Sequence, residues 1–111
     1  MSEMNLFACD LTALSEEQRT THQAVAIQLF GSLLRETREL PDGFAYRFDA
    51  EHYQLVAAFI ANERQCCPFF AFTLEVAPHG GPVWLQLTAE GDVKPFLRAE
   101  LGQLVIDDKG A

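Results

Sequence analysis

The chain has no long hydrophobic run, few basic residues and no Cys-x-x-Cys pair, and each shortage removes a class of function. No stretch approaches the roughly 20 apolar residues that a membrane-spanning helix needs. The start, Met1-Ser2-Glu3-Met4-Asn5, has neither a basic n-region nor an apolar h-region. Leu6-Phe7-Ala8-Cys9 has the outline of a lipoprotein cleavage box, but nothing before it could serve as a signal peptide, so that reading is rejected. The expectation is a soluble, cytoplasmic protein, in a compartment that keeps thiols reduced. Lys and Arg number 8 against 16 Asp and Glu, for a net charge of -8. That is too little positive charge to neutralise nucleic-acid phosphates, and its sign opposes an anionic membrane. It favours solubility and, mildly, cations. There are three cysteines, Cys9, Cys66 and Cys67. An odd count fits a disulfide framework poorly. Gly80-Gly81 is not followed by a helix carrying Lys-Ser/Thr, so it is not a phosphate loop. No Ser-His-Asp arrangement can be read from spacing.

What is present is apolar bulk. Hydrophobic residues make up 49% of 111 positions, with nine Phe, two Tyr and one Trp. This length fits a single domain over residues 1–111. A chain of this size buries roughly two-thirds of the surface its unfolded state exposes, which makes a homodimer a reasonable expectation.

Residues 1–14 read as irregular. Ser15 followed by Gln18 is a capping-box pattern, and Glu16 and Glu17 lie where the helix dipole favours acids. Ala26, Leu29 and Leu33, with Val25, Phe30 and Leu34, recur at helical spacing, so helix 1 is expected over 15–36. Pro41-Asp42-Gly43 is a turn signal, and Phe44, Tyr46 and Phe48 alternate as in a half-buried strand. A strand near 37–40 should pair with 43–48 as a hairpin. Asp49 is the expected cap of helix 2, about 50–66. Its apolar side carries Tyr53, Val56, Ala57, Ile60 and Cys67, with Leu55 and Phe59 beside them. Pro68 stops it. Phe70, Phe72, Leu74 and Val76, then Val83, Leu85 and Leu87, form a second hairpin around Pro78-His79-Gly80-Gly81. A last helix is expected over 92–101, through Val93, Phe96, Leu97 and Leu101, before a frayed tail at 103–111. Phe44–Glu51 and Val83–Glu90 echo each other as a strand entering Ala-Glu and then a helix. The expected fold is therefore α+β: an N-terminal helix, two ββα units, and a four-stranded antiparallel sheet with helices packed on it.

The most unusual run is Glu63-Arg64-Gln65-Cys66-Cys67-Pro68. Glu63 lies three and four residues before the cysteines, so its carboxylate reaches the same helix end. Adjacent cysteines bridge each other only with strain, because their Cα atoms are about 3.8 Å apart and bridges need more than about 4.4 Å. Both thiolates can instead turn toward one soft ion, with Cys9 as the third donor from the N-terminal segment. The helix C-terminus carries partial negative charge, which disfavours a nucleophilic thiolate and welcomes a bound cation. Arg64 works against this by lowering a thiol pKa. Metal or metalloid binding by Cys9, Cys66, Cys67 and Glu63 is thus favoured over catalysis. Mercury, arsenite or cuprous copper suits an all-thiolate set. Zinc would need a fourth ligand, drawn from Glu63, His22 or His52.

Packing explains the same residues in another way. Free cysteine behaves as a small buried hydrophobe, Cys67 falls on the apolar side of helix 2, and Glu63 reads as a solvated or helix-pairing residue. His22, His52 and His79 share no ligand spacing and read as surface or capping residues. Trp84 and Phe69 lie on the strand face opposite the main apolar set, where packing is the preferred role over a pocket or a dimer surface.

Cys9-Asp10-Leu11-Thr12, then Glu63-x-x-Cys66-Cys67-x-Phe69 and the Phe-rich hairpin that follows, resemble a group of small uncharacterised bacterial proteins. The resemblance covers residues 8–101 and implies that Cys9, Glu63, Cys66 and Cys67 belong together. Such proteins are similar in style to those encoded beside heavy-metal resistance genes. Two alternatives to soft-ion binding stay open. One is a thiol enzyme, either exchanging a disulfide between Cys9 and Cys66 or Cys67, or cleaving a carbon–metal bond with Glu63 or Asp10 as proton donor. The other is a non-catalytic dimerising domain with structural cysteines.

Overall fold

A computed structural model describes residues 9–102. The expectations for 1–8 and for the tail at 103–111 lie outside these residues. The α+β class and the four-stranded antiparallel sheet are both present.

Asp10 caps a 3-10 turn, Leu11–Ala13, and Leu14 drops into the core. Ser15 then opens α1, Glu16–Gln28, with the expected reciprocal box: Gln18 N–H donates to Ser15 Oγ (3.1 Å) and Ser15 N–H to Gln18 Oε1 (2.9 Å). The α-helix ends earlier than the expected residue 36. It widens into a π turn, Leu29–Leu33, that delivers Leu29 and Phe30 into the core. By Arg35 the backbone has left the helix, and its N–H donates to Arg47 O (2.8 Å). Strand pairing takes the hydrogen bonds that a longer helix would have used, so β1 begins at Glu36 (Glu36–Leu40).

β1 pairs with β2, Gly43–Phe48, through the Pro41-Asp42 turn. A 3-10 turn, Ala50–His52, leads into α2, Tyr53–Cys66. Asp49 precedes that turn, but its side chain caps nothing; its carboxylate accepts from Arg35 (3.0 and 3.2 Å). The second hairpin is β3, Ala71–Val76, and β4, Val83–Thr88, and α3, Lys94–Glu100, follows. Sheet order is β1-β2-β4-β3. The two ββα units therefore meet through their second strands, which pair antiparallel at the centre.

Register builds the core directly. Phe44, Tyr46 and Phe48 stand opposite Leu87, Leu85 and Val83, and Phe72 and Leu74 extend that face on β3. Phe30 makes edge-to-face contacts with Tyr46, Phe48 and Phe59, so it joins the π turn, the sheet and α2. Burial pushes the Tyr46 phenol well above its ordinary pKa. Gly43 leaves no room for a side chain: a Cβ there would fall on the Leu87 carbonyl. On the opposite face the Arg38 guanidinium lies over the Trp84 ring at 4.5 Å. Phe69 precedes β3 and packs with Phe70 and Phe96. Among the described residues, no helix is long and apolar enough to cross a membrane.

Candidate functional site

α2 buries Val56, Phe59, Glu63 and Cys66. The spacings of three, four and three place all of them on one helical stripe, so a carboxylate interrupts an otherwise apolar seam. Tyr53, expected on the apolar side, is exposed instead. On α1, His22 occupies the stripe of Ala26, Leu29 and Leu33, and it is the only residue of that helix that is buried. α1 packs against α2, and the two polar side chains meet inside: His22 Nε2 and Glu63 Oε1 share a hydrogen bond of 2.6 Å. His22 is 6% exposed and Glu63 5%. The packing reading takes Glu63 as solvated or helix-pairing and His22 as a surface or capping residue. Their buried pairing is a correction, and its cause is that each meets the demand of the other. The His22 ring also stacks on Phe59 at 5.2 Å, and its Nδ1 is buried without a hydrogen-bond partner.

Pro68 shapes the sulfur side of the site. It forces Cys67 out of helical geometry, to φ -127° and ψ 69°. In a regular helix neighbouring side chains diverge by about 100°. Here the turn out of the helix brings the sulfurs of Cys66 and Cys67 within 3.6 Å. Both residues are 1% exposed.

The N-terminal segment crosses this helix end. Asp10 N–H donates to Cys66 O (2.7 Å), satisfying a carbonyl left open by the end of α2. Arg19 donates to Leu11 O and Leu14 O (3.2 and 3.1 Å) and holds the segment down. Cys9 is bonded to Cys67 in a disulfide, with Cα atoms 4.5 Å apart. The expectation of reduced thiols is corrected here: Cys9 and Cys67 pair, one of the two pairings that the disulfide-exchange alternative named, and Cys66 is left as a buried free thiol.

Glu63 Oε2 lies 3.4 Å from Cys67 Sγ. A disulfide sulfur has no proton to give, so this is a contact in the bridged state. On reduction the same geometry lets a Cys67 S–H donate to Glu63. The Cys66 thiol is pushed up to about 11, first by burial and then by the negative charge of Glu63. Burial, with the charge of Glu63, also raises the Glu100 carboxyl above its ordinary value. The site is short of positive charge.

Cys9, Glu63, Cys66 and Cys67, the four residues singled out from the sequence, thus converge. They line a cavity of about 230 Å³ with His22, Phe59 and Glu100. Two ligand sets are close enough to hold one ion: Cys9, Glu63 and Cys67, and His22, Glu63 and Cys66, the donor atoms of each lying within 4.8 Å of one another. His52 pairs with Glu51 (3.4 Å), and His79 is exposed in the β3–β4 turn, so neither joins the site. His22, named from the sequence only as one of three candidates for a fourth zinc ligand, is the member whose burial was missed. Its signal was its place on the apolar stripe of α1.

Comparison with protein-family models, with curated proteins and with solved structures returns no match to this chain.

Proposed function

We propose that this protein binds a soft metal or metalloid ion through the thiolates of Cys9, Cys66 and Cys67 after the Cys9–Cys67 bridge is reduced. The observation that carries the proposal is convergence: three sulfurs from chain segments 58 residues apart meet beside one buried carboxylate. Two sulfurs sharing an ion at about 2.3 Å sit about 3.8–4 Å apart, close to the 3.6 Å between Cys66 and Cys67. Cys9 and Cys67 already reach bonding distance, so opening the bridge leaves both sulfurs at the same place. An external dithiol supplies the electrons: it becomes a disulfide, and its two protons pass to Cys9 and Cys67. Glu63 is placed to accept the proton that leaves Cys67 when the ion binds its sulfur. The negative surroundings that raise the Cys66 thiol favour a bound cation. Mercury(II), arsenite and copper(I) are the ions that an all-sulfur set selects, consistent with a role in heavy-metal handling.

Native mass spectrometry of the protein reduced with a phosphine tests this. One ion per chain is expected with Hg(II), arsenite or Cu(I). Unchanged stoichiometry and affinity in Cys66→Ser and Cys67→Ser would overturn it.

Thiol–disulfide exchange is the second reading, favoured by the bridge itself. It would run between Cys9–Cys67 and an outside thiol, because a bridge between the adjacent Cys66 and Cys67 is strained. A reduction potential above about −300 mV would support this reading, since structural bridges lie below that value.

A further inference from the structure

The bridge removes two sulfurs from any ligand set but leaves a third group of donors untouched. His22, Glu63 and Cys66 are each at least nine-tenths buried, and their ligand atoms lie within 4.8 Å of one another. They come from two helices and share one cavity. Among the described residues lining the cavity, Glu63 and Glu100 are acidic and His22 is the one base.

We infer that His22, Glu63 and Cys66 form a site for a divalent ion of the zinc class in the oxidised protein. One thiolate and one carboxylate neutralise a dication, and the imidazole completes three ligands without added charge. A mixed sulfur, nitrogen and oxygen set is the chemistry of zinc, not of mercury or arsenite. Zinc holds nitrogen and oxygen ligands at about 2.0–2.1 Å, so two of them stand about 3.3 Å apart around a tetrahedral ion. His22 Nε2 and Glu63 Oε1 are now 2.6 Å apart, and the ion takes the place of the proton between them with a shift below about 1 Å. The fourth position opens on the cavity, where Glu100 stands. Oxidation state then selects the ion: sulfur-only ligation when Cys9 and Cys67 are reduced, the mixed set when they are bridged.

This inference does not depend on the three-thiolate reading, and the two fail separately. The test uses the wild-type protein with its bridge intact, titrated with Co(II) and then with Zn(II). Among its three cysteines, Cys66 is the one free thiol. A sulfur-to-cobalt charge-transfer band at one Co(II) per chain therefore reports Cys66 ligation without any mutation, and Zn(II) should displace it. His22→Gln should weaken binding by about tenfold or more. The double variant Cys9→Ser, Cys67→Ser, which lacks the three-thiolate set, should keep the band. Absence of the band in the oxidised wild type overturns the inference, and so does a His22→Gln protein that titrates like the wild type.

Discussion

Reducing the Cys9–Cys67 bridge should destabilise the fold by an amount set by the loop it closes. The two residues are 58 apart in sequence. For a loop of that length, the entropy that a cross-link removes from the unfolded chain corresponds to about 4 kcal/mol. Small domains are stable by about 5–15 kcal/mol in total, so the reduced protein should remain folded with much of its margin gone. With a urea m-value near 2 kcal/mol/M, the unfolding midpoint should fall by roughly 2 M. Circular dichroism in a urea series, with and without a phosphine reductant, measures this. Cys9→Ser should show the lowered midpoint in both conditions. Cys66→Ser should remain sensitive to reductant, because Cys66 is outside the bridge. A soft ion should then recover part of the loss: at 100 times its Kd, one bound ion restores about 2.7 kcal/mol. A wild-type midpoint indifferent to reductant would refute the assigned bridge, and loss of the response in Cys66→Ser would assign it to the wrong pair.

Three further outcomes follow from the interior. Glu63→Leu should cost about 2–3 kcal/mol in urea unfolding by stranding His22, whereas adding His22→Phe, which keeps the stack on Phe59, should return most of it; equal losses in the single and double variants would contradict the coupling. The Cys66 pKa is raised from 9.0 to about 11, so the fold favours the neutral thiol: that contribution is complete below pH 9 and is lost as pH climbs toward 11. Iodoacetamide labelling of Cys66 in the bridged protein should keep rising through that window, and a plateau near pH 9 would show an ordinary thiol. Gly43→Ala should lower thermal stability by at least about 2 kcal/mol, because the new methyl meets the Leu87 carbonyl of the central strand pair.

Local pattern and tertiary meeting contributed differently to what could be read. Phe44, Tyr46 and Phe48 alternate because β2 has one covered face, and the alternation is visible without the partner strand. Ser15 with Gln18 announces a helix start for the same reason: the bonds that matter lie within four residues. The end of α1 was less legible. Residues 29–36 keep an apolar helical period, and only pairing with β2 at Arg47 decides that Arg35 and Glu36 leave the helix. Asp49 likewise looks like a cap from its neighbours, but Arg35, fourteen residues earlier, takes its carboxylate.

The sequence by itself determined the α+β class, the two ββα units and the grouping of Glu63 with Cys66 and Cys67, since helical spacing and Pro68 set those relations along one segment. Only the tertiary structure decided that Cys9 bonds Cys67 and spares Cys66, that His22 faces Glu63, and that both are buried. Those outcomes depend on where the N-terminal segment crosses the end of α2 and on which face of α1 meets it. Spacing within a segment records its own periodicity; it carries no information about which distant side chain will satisfy a buried carboxylate.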